Sequence, residues 1–164
     1  MLQVNYERGT KDSDVFETTE LTPLVQVQLL AIAGARTDLA VRHKLYIDIV
    51  RNGVPFLPHA PRWNPIDSLS TLSNLHVRAL DIVDVVVSKL KRFSSNDVSD
   101  IDAMIELGHV THACLIERFR SAYDEFSYDA RAADLSKYVD NLNRVERDML
   151  DVEETKFDLD AIKY

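Results

Sequence analysis

Apolar residues recur at helical spacing along most of the chain and alternate at strand spacing in only a few short stretches. Residues 22–34 open with Thr22 and Pro23, an N-cap and a residue suited to the first helical position. Leu24, Val25, Val27, Leu29, Leu30, Ile32 and Ala33 then run as far as Gly34. A second helical piece covers residues 38–43. Lys44-Leu45-Tyr46-Ile47-Asp48-Ile49-Val50 is β-branched and aromatic, and alternation puts Leu45, Ile47 and Ile49 on one face with Asp48 on the other. A shorter strand is predicted over residues 14–18.

Gly53, Pro55, Pro58, Pro61 and Pro65 make residues 51–66 an irregular connection, with one short strand expected around 54–57. After a Ser-rich turn or helix over 66–73, residues 75–80 read as another strand. Asp81 and Asp84 have capping-box spacing at the start of an apolar helix carrying Ile82, Val85, Val86 and Leu90. Three further helices are predicted over about 97–107, 111–128 and 132–152, with Gly108 separating the first two. Cys114, Leu115, Phe119, Ala122 and Phe126 mark the apolar face of one, and Val139, Leu142, Val145 and Met149 that of another. Residues 151–164 are too acidic and too sparsely apolar to assign, and are expected either to fray or to dock on another subunit. The pattern predicts an α+β fold: a small mixed β-sheet with packed helices, followed by a C-terminal helical subdomain. Residues 1–107 form the α+β core and residues 108–164 a helical extension of the same domain.

Composition narrows the classes of function. A chain of 164 residues buries roughly 70% of the surface it exposes when unfolded, and 46% apolar residues can fill that interior without staples. Cys114 is the one cysteine, which suits a reducing cytoplasm, and the N-terminus lacks the basic-then-apolar layout of a signal peptide. No apolar run is long enough to span a bilayer. Asp and Glu number 27 against 19 Lys and Arg, a net charge of -8, so non-specific binding to nucleic acid or to anionic membranes is not expected, although a local basic patch is compatible with it.

The candidate chemistry lies in Arg8-Gly9-Thr10-Lys11-Asp12-Ser13-Asp14. Two carboxylates at i and i+2 on an extended backbone project from one face, about 6.6 Å apart at Cα, where their oxygens can converge on a hard cation. Asp48 is the natural third ligand, because a mid-strand carboxylate among apolar neighbours is costly unless exposed, paired or bound to metal. A solvated acidic turn is the alternative reading of the same residues.

The order Arg-Gly-Thr-Lys-Asp-x-Asp-Val, a helix, and an apolar strand with a lone Asp resembles the nucleotidyltransferase-fold superfamily, the polymerase-beta-like group. Downstream, Leu75 to Asp81, then Val85-Val86-Val87-Ser88-Lys89-Leu90, then Asn96-Asp97-Val98-Ser99-Asp100-Ile101, is similar to the strand, lysine-bearing helix and Asp-x-x-Asp-Ile block of uncharacterised bacterial nucleotidyltransferase-like proteins. The resemblance covers about residues 8–107. It implies that Asp12 and Asp14 bind two magnesium ions, and that Asp48 binds one and helps orient or deprotonate an acceptor hydroxyl. Arg8, Thr10, Lys11 and Lys89 are then the contacts to the nucleoside triphosphate, with Asp97 and Asp100 orienting Lys89. Two metals about 4 Å apart stabilise the attacking and leaving oxygens of nucleotidyl transfer. The family's N-terminal strand and its Gly-Gly or Gly-Ser pair, about ten residues before the Asp-x-Asp, are expected to be missing, with Asp12 eleven residues after Met1.

Taken alone, Lys89, Lys91 and Arg92 also read as a solvated basic turn balancing a helix C-terminus. His109, His112 and Cys114 lack a fourth donor at zinc-site spacing. Cys114 is expected to be a buried small hydrophobe, and Trp63 either stacks on a base or plugs a core edge. An RNA acceptor would call for Arg118, Arg120 and Arg131 on one face.

The leading expectation is a magnesium-dependent nucleotidyltransferase that acts on a hydroxyl of a protein, an RNA or a small molecule. The alternative is a catalytically silent fold relative, or one half of a toxin-antitoxin-like pair, that meets a protein partner or a second copy through an exposed apolar patch. That patch is expected on the helices of 111–152 or at an unpaired strand edge.

Overall fold

The computed structural model describes residues 12–17, 21–51, 55–67, 71, 77–128 and 130–159, with Asp12 described through its backbone. Packing divides the chain between Pro55 and Phe56 into two compact units. The boundary that the sequence suggests at 107/108 follows a change in element type, whereas this division follows the contacts.

The first unit contains β1 (Asp12–Phe16), α1 (Pro23–Ala33), α2 (Asp38–His43) and β2 (Tyr46–Val50). Thr22 caps α1 by accepting from the Val25 amide at 3.4 Å, and Pro23 occupies the first turn as expected. Gly34 ends the helix. Its amide donates to the Leu30 carbonyl at 2.9 Å, and a Cβ at Gly34 would sit 2.5 Å from that same oxygen, so only glycine fits. Thr37 then turns the chain into α2, donating to the Gly34 carbonyl at 2.9 Å while accepting from the Ala40 amide at 3.2 Å. β1 and β2 pair in parallel, and α1 packs against β2. Parallel strands need such a crossover, and α1 with α2 supplies it. A two-strand sheet offers a helix little surface to cover. Although α1 is apolar nearly all round, Leu24, Val27 and Ile32 are about two-thirds exposed at 68%, 67% and 67%.

The second unit contains β3 (Trp63–Pro65), antiparallel to β4 (Arg78–Leu80), then α3 (Ile82–Arg92), α4 (Ser95–Glu106), α5 (His112–Phe126), a 3-10 turn (Ala130–Asp134) and α6 (Leu135–Asp148). Val86, Val87 and Leu90 of α3, Ile101 and Met104 of α4, Leu115, Phe119 and Ala122 of α5, and Leu142 and Val145 of α6 close one core. Phe56 completes it from the proline-rich segment, with ring centroids 5.3 Å from Phe119, 5.0 Å from Phe126 and 4.9 Å from Tyr138. Gly108, at φ 73°, turns the chain between α4 and α5.

The fold is α+β, as the hydrophobic pattern predicts. The sheet differs: among the described residues there are two two-stranded sheets, one parallel and one antiparallel, in place of one mixed sheet. The strand expected near 54–57 is absent where the chain is described. Phe56 and Leu57 are buried without strand pairing, and the proline-rich segment pairs at 63–65 instead. Cys114 is exposed and not buried, because Thr111 caps α5 and places residue 114 in its first turn, to one side of the Leu115–Phe119–Ala122 seam. The apolar faces of α5 and α6 are buried as well, so most exposed large apolar side chains of the described residues lie on α1, α2 and Leu45, with Trp63, Leu107, Tyr128 and Leu159 exposed singly elsewhere. The acidic tail docks on its own unit. Fully buried Glu146 accepts from the Thr155 amide at 2.9 Å and from its hydroxyl at 2.5 Å, Phe157 packs on Phe119 and Tyr123, and the Tyr123 hydroxyl donates to the Asp158 carbonyl at 2.9 Å.

Phe56 joins a segment without regular structure to two helices, α5 and α6. Phe56→Ala is expected to cost about 3–5 kcal/mol, read as a lowered urea midpoint with an unchanged slope. A loss below about 1 kcal/mol would show that the proline-rich segment is not part of the folded core.

Candidate nucleotidyl-transfer site

The register of the first unit decides where the sequence-predicted carboxylates stand. Asp14 pairs with Asp48, and Asp12 pairs with Tyr46. Paired residues of parallel strands share a face, and residues two apart on one strand share it too. The face therefore carries Asp12, Asp14 and Phe16 beside Tyr46, Asp48 and Val50, while Ser13, Val15, Ile47 and Ile49 lie on the other. Asp14 and Asp48 are both exposed, on strands about 4.8 Å apart. One oxygen of Asp48 accepts from the Ile49 amide at 2.9 Å, which holds the carboxylate to its own strand. Like charges directly opposite one another destabilise a strand pair.

Among the described side chains no three His, Cys, Asp or Glu groups form a metal cluster, and the Asp12 side chain is outside that description. The donor set fits a hard divalent ion, since ionised carboxylates offer only oxygen acceptors. Arg8, Thr10 and Lys11 lie outside the described residues.

Lys89 belongs to the second unit, and there the structure joins it to both expected partners. Its ammonium donates to Asp100 Oδ2 at 2.8 Å and to Asp97 Oδ1 at 3.2 Å. Asp97 is 1% exposed and also accepts from Arg92 Nε at 2.7 Å, Arg92 Nη2 at 2.8 Å, the Ser94 hydroxyl at 2.7 Å and the Ser94 amide at 3.0 Å. Burial alone pushes the Asp97 carboxyl up. The hydrogen bonds from Arg92, Ser94 and Lys89 outweigh it and hold the group well below the ordinary carboxylate value near 3.8. Arg92 is thus a partner of Asp97 and not merely a solvated cation at a helix end. The sequence carried a sign of this in Ser94-x-x-Asp97, which forms a capping box at the start of α4.

The capping box expected at Asp81 and Asp84 is not made. Asp81 caps α3 through the Val83 amide at 3.0 Å. Fully buried Asp84 accepts from Arg118 Nε at 2.6 Å, Arg118 Nη2 at 2.7 Å and the Arg62 amide at 2.7 Å. That pair takes Arg118 away from any surface. Arg120 covers the Phe157 ring and Arg131 the Phe126 ring, so these three arginines do not form an exposed basic face. His112 Nε2 lies 2.8 Å from Glu146 Oε1, inside the tail contact, and Trp63 stands on the short strand β3.

The carboxylate pair lies across the parallel strands of the first unit, and the lysine held by Asp97 and Asp100 lies in the second. A family described as nucleotidyltransferase of unknown function, DUF6036, matches residues 1–149. The chain belongs to this family. Its match runs through both units, from before β1 to the end of α6, so the braced Lys89 and the paired aspartates are features of one family segment. No curated protein and no solved structure matches the chain.

The lowered folded value of Asp97 sets a pH dependence. A carboxyl depressed in the folded state contributes stability above its unfolded value and loses that contribution as pH falls below it. Asp97→Asn is expected to cost about 2–3 kcal/mol at pH 7, with the gap to the parent protein closing as pH falls from about 4. Urea midpoints of both proteins at pH 7, 4 and 3 measure this. An equal gap at all three would show that Asp97 acts by shape and not by charge.

Proposed function

We propose that the protein is a divalent-metal-dependent nucleotidyltransferase, which moves a nucleotidyl group from a nucleoside triphosphate to a hydroxyl acceptor. The observation that carries this reading is the parallel register that sets Asp14 across from Asp48, on the face that Asp12 shares. Family membership supports the same class.

In this reading Asp12, Asp14 and Asp48 hold magnesium, which when bound lowers the charge on the transferring phosphoryl group and on the departing pyrophosphate. Asp48 orients the acceptor hydroxyl and receives its proton as oxygen attacks the α-phosphorus and the bond to the β-phosphate oxygen breaks. The Ile49 amide steadies the Asp48 carboxylate for that role. None of the described helices is long and apolar enough to cross a membrane, and the cytoplasm, where nucleoside triphosphates are abundant, is the proposed setting. The second reading, a partner-binding module, draws on the exposed Leu24, Val27 and Ile32 of α1.

Thermal unfolding with magnesium and each of the four NTPs separates the two. A ligand at 100 times its Kd adds about 2.7 kcal/mol, which raises the midpoint of a domain this size by about 5 to 10 °C. The shift is expected to need both metal and nucleotide, and to vanish in Asp14→Asn and in Asp48→Asn. No shift with any NTP, or an undiminished shift in both variants, would overturn the enzyme reading.

A further inference from the structure

The chain from Asp151 to Leu159 has neither helix nor strand, and none of its residues is buried. It leaves the end of α6 through Asp151, whose backbone is left-handed at φ 52°. One backbone bond, from the Val152 amide to the Glu146 carbonyl at 3.0 Å, starts its course over the helices. Beyond that point side chains of α5 and α6 hold it. Glu146 accepts from both the amide and the hydroxyl of Thr155. Phe157 rests on Phe119 and Tyr123, with ring centroids 5.0 Å and 5.2 Å away, and the Tyr123 hydroxyl donates to the Asp158 carbonyl. Two cations border the contact. The Arg120 guanidinium lies 5.2 Å from the centre of the Phe157 ring, and Arg147, which also meets Asp148 at 2.9 Å, donates to Glu154 at 2.7 Å. The tail is therefore held as a linear pattern: a hydroxyl residue, an aromatic ring two places on, and carboxylates around them.

The surface beneath it is built to need an occupant. Glu146 is fully buried, and its side-chain oxygens meet Thr155 and His112 among the described residues. Lifting the tail leaves this carboxylate with His112 alone, and a buried acceptor stripped of donors is costly. An occupant must bring an N–H or O–H to Glu146 and an aromatic ring to Phe119 and Tyr123. These receiving residues all lie inside the family segment, which ends at 149, and the tail lies beyond it. The acceptor thus belongs to the family segment and its Thr155 donors to an appended stretch. Segments with few buried contacts open before the rest of a folded protein, which bares this surface while the helices stay in place.

We propose that Phe119, Arg120, Tyr123, Glu146 and Arg147 form a docking site for an acidic linear segment of a partner protein, with Ser or Thr two residues before an aromatic residue. The tail covers the site until such a segment displaces it. Residues 151–159 carry four carboxylates against one lysine, which sets the charge of the segment that fits. Arg120 and Arg147 receive that charge in a chain whose net charge of -8 otherwise repels acidic partners. A second copy offers the same tail, but each copy's own tail is tethered beside its own site at high effective concentration. Exchange between copies therefore gains no contact, whereas a partner segment with further contacts does. This role does not rest on nucleotidyl transfer.

The test is the fluorescence anisotropy of a labelled, end-blocked peptide of residues 151–159, titrated with the full chain and with its Thr155→Ala, Phe157→Ala variant. The variant should bind the peptide saturably. The parent should bind it about tenfold or more weakly, because a site that is free about a tenth of the time loses that factor in apparent affinity. Replacing the peptide's phenylalanine by alanine should abolish binding, and adding Arg120→Glu, at an exposed position, should weaken it several-fold. Hydrogen exchange of the unaltered chain supplies a reading that needs no variant: the Thr155 amide should exchange much faster than the Val145 amide of α6. The proposal is overturned if the variant keeps its helical circular dichroism and does not bind the peptide, if parent and variant bind it equally, or if the Thr155 amide exchanges as slowly as that of Val145. Dimerisation of the parent that the free peptide reverses would assign the site to a second copy's tail and overturn the partner reading.

Discussion

Two carboxylates face each other across a pair of parallel strands, and the rest of the first unit is arranged around holding them there. Parallel pairing cannot be closed by a tight turn, so a crossover of a dozen or more residues must return the chain to the start of β2. The Thr22 cap, the Gly34 close approach and the Thr37 cap each fix one corner of that crossover. A slip of one residue in register would move Asp48 to the face that carries Ile47 and Ile49, and α1 packs against that strand. Apolar alternation on β2 therefore sets the position of Asp48 indirectly, by fixing where its neighbours must go.

The second unit handles charge in the opposite way, by burying carboxylates beneath donors. Asp84, Asp97 and Glu146 are at most 1% exposed, and each accepts several hydrogen bonds from groups distant in sequence or across a helix break. An unpaired carboxylate in such a place would cost several kcal/mol, but one with charged and backbone donors fixes the mutual position of the elements that supply them. Asp84 ties the loop at Ala60 and Arg62 to α3 and α5. Asp97 joins the end of α3 to the start of α4, and Glu146 fastens the acidic tail. Lys89 is aimed by the second of these clusters, so its direction depends on the same junction that ends α3.

How much of this could be read from the sequence depends on the range of the interaction concerned. Helix positions were legible because they rest on local periodicity and caps: Thr22 with Pro23 and the spacing of Leu115, Phe119, Ala122 and Phe126 all place elements that the structure contains. Lys89 with Asp97 and Asp100 was legible as a motif, since the three residues lie within twelve positions. Asp84 was misread because its partner, Arg118, is 34 residues away, and capping-box spacing is satisfied equally well by a carboxylate that turns inward. Cys114 was misread because apolar spacing alone does not say which of two adjacent positions, 114 or 115, lies on the seam. β3 escaped notice because three residues rich in proline context have no alternation to detect, and only their pairing with Arg78–Leu80 makes them a strand.

The same difference of range explains why the arginines could not be sorted by type. Arg118, Arg120 and Arg131 are close in sequence to one another and to helix surfaces, which suggests a basic face, but each is drawn to a group inside its own unit. Arg36, Arg42, Lys44 and Arg51 sit among small and apolar residues with few acids nearby, so no intramolecular partner competes for them. Guanidinium and ammonium groups left in water carry their hydration, but they also retain full Coulombic reach to an incoming anion, which paired groups have spent. A net acidic protein can therefore keep exposed cations where few acids lie nearby, as at Arg36, Arg42, Lys44 and Arg51 in the described part of the first unit.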